Sequence, residues 1–144
     1  MTSEVSPTAF PLTRDWSQNR FAILLHLPPM DVRDGYARME FVIEEIHLRP
    51  GGVVHGGVFA TVLDTVTGYA GYLVALPGTE VLTMQLNVNM TATAKLGERV
   101  IATARAVHSG RRTAVVLGEL RRDDGKLLAS GSATLFFVKG DLSS

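Results

Sequence analysis

Apolar and polar positions alternate most strictly in the second half of the chain. In residues 83–91, TMQLNVNMT, the polar side chains Thr83, Gln85, Asn87, Asn89 and Thr91 fall on one side, and Met84, Leu86, Val88 and Met90 on the other. That two-residue period predicts a strand. Segments 98–108 and 113–121 continue the pattern on either side of SGRR, Asp124-Gly125 marks a tight hairpin, and 127–138 completes the strands. Upstream, 36–48 (YARMEFVIEEIHL) is mostly alternating and rich in aromatic and β-branched residues, which predicts a strand bulged near Glu44 and Glu45. Residues 49–54, RPGGVV, read as a loop. The run 57–76 is different. Its apolar residues lie on nearly all sides, which predicts a long helix at the core of the fold, stopped by Pro77-Gly78. Residues 14–27 place Trp16, Phe21, Leu24 and Leu25 at helical spacing, a short amphipathic helix ended by Pro28-Pro29.

Residues 1–13 contain Pro7 and Pro11 with little periodicity and read as a tail, leaving 14–144 as one domain without repeats or linker. Short connections between strands imply antiparallel neighbours. One sheet curling around one apolar helix is the simplest cover for that helix, so the class is α+β.

Composition changes this picture only by exclusion. Lys plus Arg and Asp plus Glu are 14 each, so no charge excess points to nucleic acid or an anionic membrane. The absence of cysteine removes a thiol nucleophile, disulfides and cysteine-ligated metals, and fits a reducing cytoplasm, the expected location. No basic segment followed by an apolar one opens the chain, so no secretory signal is read. Residues 56–76 are about as long as a membrane span, with Asp64 the only charge. Their threonines and glycines, and the strands that follow, suit a helix wrapped by protein instead.

Chemistry gathers in VVHGGVFATVLD, residues 53–64: a histidine, two glycines at the mouth of the helix, and one carboxylate, Asp64, eight residues after Gly56. Together with GGVVHGG at 51–57, VLD at 62–64, TMQLNVNM at 83–90 and AKLGE at 94–98, this order resembles the hotdog-fold acyl-CoA thioesterases, in particular their PaaI-like, phenylacetate-pathway branch. The resemblance covers about residues 35–138. It implies a hotdog fold, a long central helix wrapped by a curved antiparallel sheet, and hydrolysis of acyl-CoA to a carboxylic acid and free coenzyme A without a cofactor. One position departs. Where the family has Asn or Gln, seven residues before the first glycine of the pair, this chain has Arg49.

A carboxylate on an apolar helix must be paired, hydrogen-bonded or face a cleft, because burying it bare costs several kcal/mol. Asp64 is therefore either a structural cap or ion-pair partner, or the catalytic carboxylate at a substrate tunnel, acting as general base on water or attacking the thioester directly. Backbone N–H groups at a helix N-terminus stabilise the oxyanion of acyl transfer. The resemblance implies that the Gly56 N–H points at the thioester oxygen; the plainer reading is a loop that needs glycine for its turn. Thr83 stands where family members carry Ser, and its hydroxyl would hold the attacking water; otherwise it is an ordinary strand threonine. His55 is read as shaping the loop rather than as an acid–base group. Arg49 could bond the thioester carbonyl, pair with Asp64, or lie outside the site. Arg111, Arg112 and, less strongly, Lys95 are candidates for the coenzyme A phosphates.

No metal site is expected, since His26, His47 and His108 stand apart from ligand spacing, and SGSA at 130–133 is no Gly-x-Ser-x-Gly elbow. Tunnel depth is expected to depend on Phe59, Tyr69, Tyr72 and Met84. A sheet with open edges invites pairing. The resemblance implies a homodimer or a homotetramer of paired dimers, with each site taking Gly56 from one subunit and Asp64 with Thr83 from the other. Two other readings compete: a non-catalytic hotdog module that binds acyl-CoA, which Arg49 favours, and a hotdog dehydratase, whose acidic motif is absent.

Overall fold

The computed structural model describes residues 16–33 and 35–140. The segment read as a tail lies outside them, as do the first two residues of the expected N-terminal helix. That helix, α1, is only Arg20–Leu24, preceded by a 3-10 turn at Trp16–Gln18. Asn19 caps it, its Oδ1 accepting the Ala22 N–H at 3.3 Å. His26, in the left-handed conformation at φ 56°, and then Pro28-Pro29 turn the chain away.

A three-residue strand, β1 (Asp31–Arg33), pairs with β2 (Tyr36–Val42); it is too short to show a period and was not expected. The expected strand through His47 also breaks early. After Val42 the chain leaves the sheet and forms a 3-10 turn at Glu45–His47. The cause is one imidazole. His47 Nδ1 accepts the Glu44 N–H at 2.9 Å, and Nε2, which must carry the proton, donates to the Leu25 carbonyl at 2.6 Å. The ring is fully buried, edge-on to Phe41.

Helix α2 spans Gly56–Tyr72, ending short of the expected 76 because the Val74 and Ala75 N–H groups bond three residues back and Gly78 then reverses the chain at φ +76°. The remaining strands are β3 (Thr79–Met90), β4 (Arg99–Ser109), β5 (Thr113–Arg122) and β6 (Leu127–Lys139). All pairs are antiparallel, in the order β1-β2-β4-β5-β6-β3. The expected single curved sheet around one helix is thus the architecture, with β3 as a long edge. In the β5–β6 turn, the Arg122 guanidinium and the Lys126 N–H hold the Asp124 carboxyl down to about 2.

Val58, Phe59, Val62, Leu63, Val66 and Ala70 of α2 are buried against the sheet. Each of the valine, leucine and phenylalanine side chains so removed from water stabilises by about 1.5–3 kcal/mol, and Ala70 by less. Close approach requires small residues beneath the helix. Gly118 and Gly131 face each other across β5 and β6, and a Cβ on Gly118 would sit 3.0 Å from Leu63, while one on Gly131 would collide with the Asn87 carbonyl. The helix, expected to be apolar on nearly all sides, has one clearly polar and open side. Gly57, Asp64 and the half-buried Ala60, Thr61, Thr65 and Gly68 leave one face uncovered within this chain. No helix of the described residues is long and apolar enough to cross a membrane.

Candidate active site

At the mouth of α2, His55 is the N-cap. Its extended backbone precedes the helix, its Nδ1 accepts the Gly57 N–H at 2.8 Å, and its carbonyl accepts the Val58 N–H at 2.9 Å. The first N–H groups of a helix have no partner within it. With Gly57 and Val58 satisfied by His55, the Gly56 N–H finds no acceptor among the described residues. Neither glycine has a strained backbone, but a Cβ on either would press on a neighbouring side chain. A Cβ at 56 would lie 2.9 Å from Met90 Sδ, and one at 57 would lie 2.9 Å from His55 Nδ1.

Two turns further on, Asp64 is exposed on the uncovered face, not buried. It lines a cavity of about 450 Å³. One wall is α1 and its cap, with Asn19, Phe21 and Ala22; the opposite wall is β3, with Val81, Thr83 and Leu86. The floor is α2 itself, ending at Tyr69 and Tyr72. Thr61 and Thr65 lie in this floor, their hydroxyls donating to the carbonyls of Gly57 and Thr61 at 2.9 and 2.7 Å. Tyr72 donates to the buried Glu80 carboxylate, and Trp16 packs on Tyr69 with ring centroids 5.7 Å apart.

Thr83 and Asp64 therefore share one cavity, although the strict alternation grouped Thr83 with Gln85 and Asn87. A β-bulge intervenes: Thr83 opposes Leu135 and Gln85 opposes Thr134, so Met84 is an extra residue. Thr83 consequently points to the helix side with Leu135, and beyond the bulge Leu86 and Val88 share that side while Gln85 and Asn87 face out. Of the residues expected to shape a tunnel, Tyr69 and Tyr72 line the cavity. Phe59 is instead 2% exposed in the core, and Met84, pushed out by the bulge, is 58% exposed. Asn19 and Phe21 went unnoticed as cavity residues; an Asn just before an apolar helical segment was the available signal, and it announced a cap rather than a wall.

The other candidates lie elsewhere. Arg49 is exposed in the turn closed by its N–H donating to the Val53 carbonyl at 2.8 Å, with Gly51 and Gly52 at φ +99° and +78°. Among the described residues no ion pair joins it to Asp64. Lys95 bridges Val53, which sets it near the α2 N-terminus. Arg111 and Arg112 are exposed at the far end, where the Arg112 carbonyl accepts the Phe137 N–H and Ser109 reaches Val74 beyond the helix. One chain thus separates these cations.

It separates the Gly56 N–H from the Asp64 carboxylate as well. Eight residues of α-helix span about 12 Å, too far for Gly56 and Asp64 of one chain to meet at a single carbonyl.

The family model of the Thioesterase superfamily matches residues 51–129. Human acyl-coenzyme A thioesterase 13 is 32% identical over 96 residues, covering 66% of this chain and 68% of that protein. The PaaI protein of the Escherichia coli phenylacetic acid degradation operon superposes with a TM-score of 0.79 at 20% identity, over 87% of this chain and 88% of that one. A Streptococcus mutans protein solved with acetyl CoA gives 0.71 at 25% identity, over 77% and 88%.

Proposed function

Since this chain belongs to the thioesterase superfamily, and so to the thioester hydrolases with a hotdog fold, we propose that it hydrolyses acyl-CoA at a site built from two copies of itself. The observation that carries this reading is the meeting of Asp64 and Thr83 in one cavity. In the proposed reaction the Thr83 hydroxyl holds a water, and Asp64 takes its proton as oxygen attacks the thioester carbon. The tetrahedral oxyanion sits against the Gly56 N–H of the second copy, at the positive end of its helix. The C–S bond then breaks, and the thiolate leaves as coenzyme A once it regains a proton. Direct attack by the Asp64 carboxylate, followed by hydrolysis of the anhydride, is the alternative order of the same groups.

Three features support a second copy: the 12 Å span (about two turns of helix), the uncovered face of α2, and the long unpaired edge of β3. A homodimer, or a homotetramer made of two such dimers, follows from this reading. Lys95, beside the α2 N-terminus of one copy, and Arg111 and Arg112 of the other are the candidates for the coenzyme A phosphates. The competing reading is a module that binds acyl-CoA without hydrolysis. It is favoured by Arg49, which stands exposed and charged at the family's Asn or Gln position.

The test is thiol release from a panel of aryl, short, medium and long acyl-CoAs, with Asp64→Asn alongside. Turnover that falls by about 100-fold or more in a folded Asp64→Asn protein is the expected result. Binding without turnover supports the module, and full activity in Asp64→Asn overturns the mechanism.

A further inference from the structure

Gly68 stands one turn beyond Asp64 on α2, about 6 Å further along the helix. It lines the same cavity, yet a Cβ built on it meets nothing within 4 Å. That sets it apart from the helix's other glycines. Gly56 accommodates Met90, Gly57 the His55 ring, and a Cβ on Gly71 would collide with Leu135. Glycine is also unfavourable inside a helix, since it gives up more backbone freedom than any other residue. Nothing in the packing of this chain therefore calls for glycine at 68; the space above it is part of the cavity.

That space leads away from the carboxylate. Thr61 and Thr65 have their hydroxyls engaged along the helix, so the floor near Asp64 offers few donors to a ligand. Past Gly68 the cavity is lined by Tyr69 and Tyr72, together with Phe21 and Val81. We propose that Gly68 is the specificity-determining residue that sets the depth of the acyl pocket, holding open a channel for an acyl group with a body beyond its first carbons, an aromatic ring or a medium-length chain, rather than for acetyl. The proposal rests on the acyl-CoA reading and names the substrate class within it.

Gly68→Ala and Gly68→Leu test it, assayed with acetyl-, hexanoyl- and phenylacetyl-CoA. The wild-type protein should prefer the two larger thioesters. Gly68→Leu should lower their kcat/KM by about tenfold or more relative to that for acetyl-CoA, with Gly68→Ala between, so that the preference for the larger thioesters shrinks or inverts. Gly68→Ala keeps the test sound if the leucine variant folds poorly, because alanine is a better helix former and its melting temperature should not fall. Light scattering must show an unchanged assembly, since Gly68 lies on the uncovered face. If both variants slow all three thioesters equally, or leave the larger two untouched, the assignment of Gly68 is overturned while the hydrolase reading stands. If the wild-type protein hydrolyses none of a wider panel, the hydrolase reading itself has failed, and this one with it.

Discussion

Two inactive chains should restore each other. In Asp64→Asn the amide keeps the size of the carboxylate but cannot take a proton. In Gly56→Val the side chain enters space already held by Met90 Sδ, 2.9 Å from a Cβ at that position, and crowds the N–H meant for the oxyanion. Each parent should retain about 1% of wild-type turnover or less, the scale of losing a general base or an oxyanion donor. Because one chain holds Gly56 and Asp64 about 12 Å apart, a shared site takes one from each copy. A mixed dimer then has one site with the intact Gly56 of the first chain and the intact Asp64 of the second. Both defects fall together in the other site. Isolated through two affinity tags, the mixed dimer should turn over at about half the wild-type rate; an unsorted one-to-one mixture should reach about a quarter. Thiol release measures the rate, and circular dichroism checks that each parent folds. Mixed dimers that form but stay as inactive as their parents would place the whole site within one chain. A wild-type protein that is monomeric at micromolar concentration would refute the reasoning at its first step.

Arg49→Asn restores the residue type found in the family and should keep or raise kcat/KM, whereas Arg49→Ala should lower it by about tenfold, the scale of one polar contact made in the transition state. If neither change moves turnover or acyl-CoA affinity, Arg49 is outside the site. His47→Ala removes a fully buried ring and its two hydrogen bonds, to the Glu44 N–H and the Leu25 carbonyl. At about 1 kcal/mol per bond, with the cavity added, the loss should be about 3 kcal/mol or more. A melting temperature lower by about 6–12 °C is expected, and an unchanged one would show that the ring does not hold this turn.

The sequence by itself determined the elements whose signals are local. An apolar run closed by Pro77-Gly78 can only be a helix that hides most of its surface, and α2 is that helix. Asp124-Gly125 reverses the chain as a hairpin, with Gly125 at φ +90° where other residues are strained. Alternation marked β3 to β6, and the spacing of HGG to Asp64 marked the family. Tertiary structure decided three further matters. Strand β1 has three residues, and its existence rests on pairing with β2, which no period can announce. His47 ends β2's run because its buried ring reaches Leu25, 22 residues earlier in sequence, a contact invisible to local pattern. Thr83 illustrates the sharpest limit. Side chains alternate with period two, so one extra residue, Met84, reverses the face of everything after it relative to what came before. The strict alternation of 83–91 is real from Gln85 onward, but it grouped Thr83 with Gln85 and Asn87. Only the register against Leu135 turns that hydroxyl inward, to the cavity of Asp64. For the carboxylate itself, the residue type and position were legible, while its exposure was not. Whether a helical position meets sheet, solvent or a second copy depends on which face the sheet leaves uncovered, and that is set by the closure of the whole sheet around α2 rather than by the residues of α2 alone.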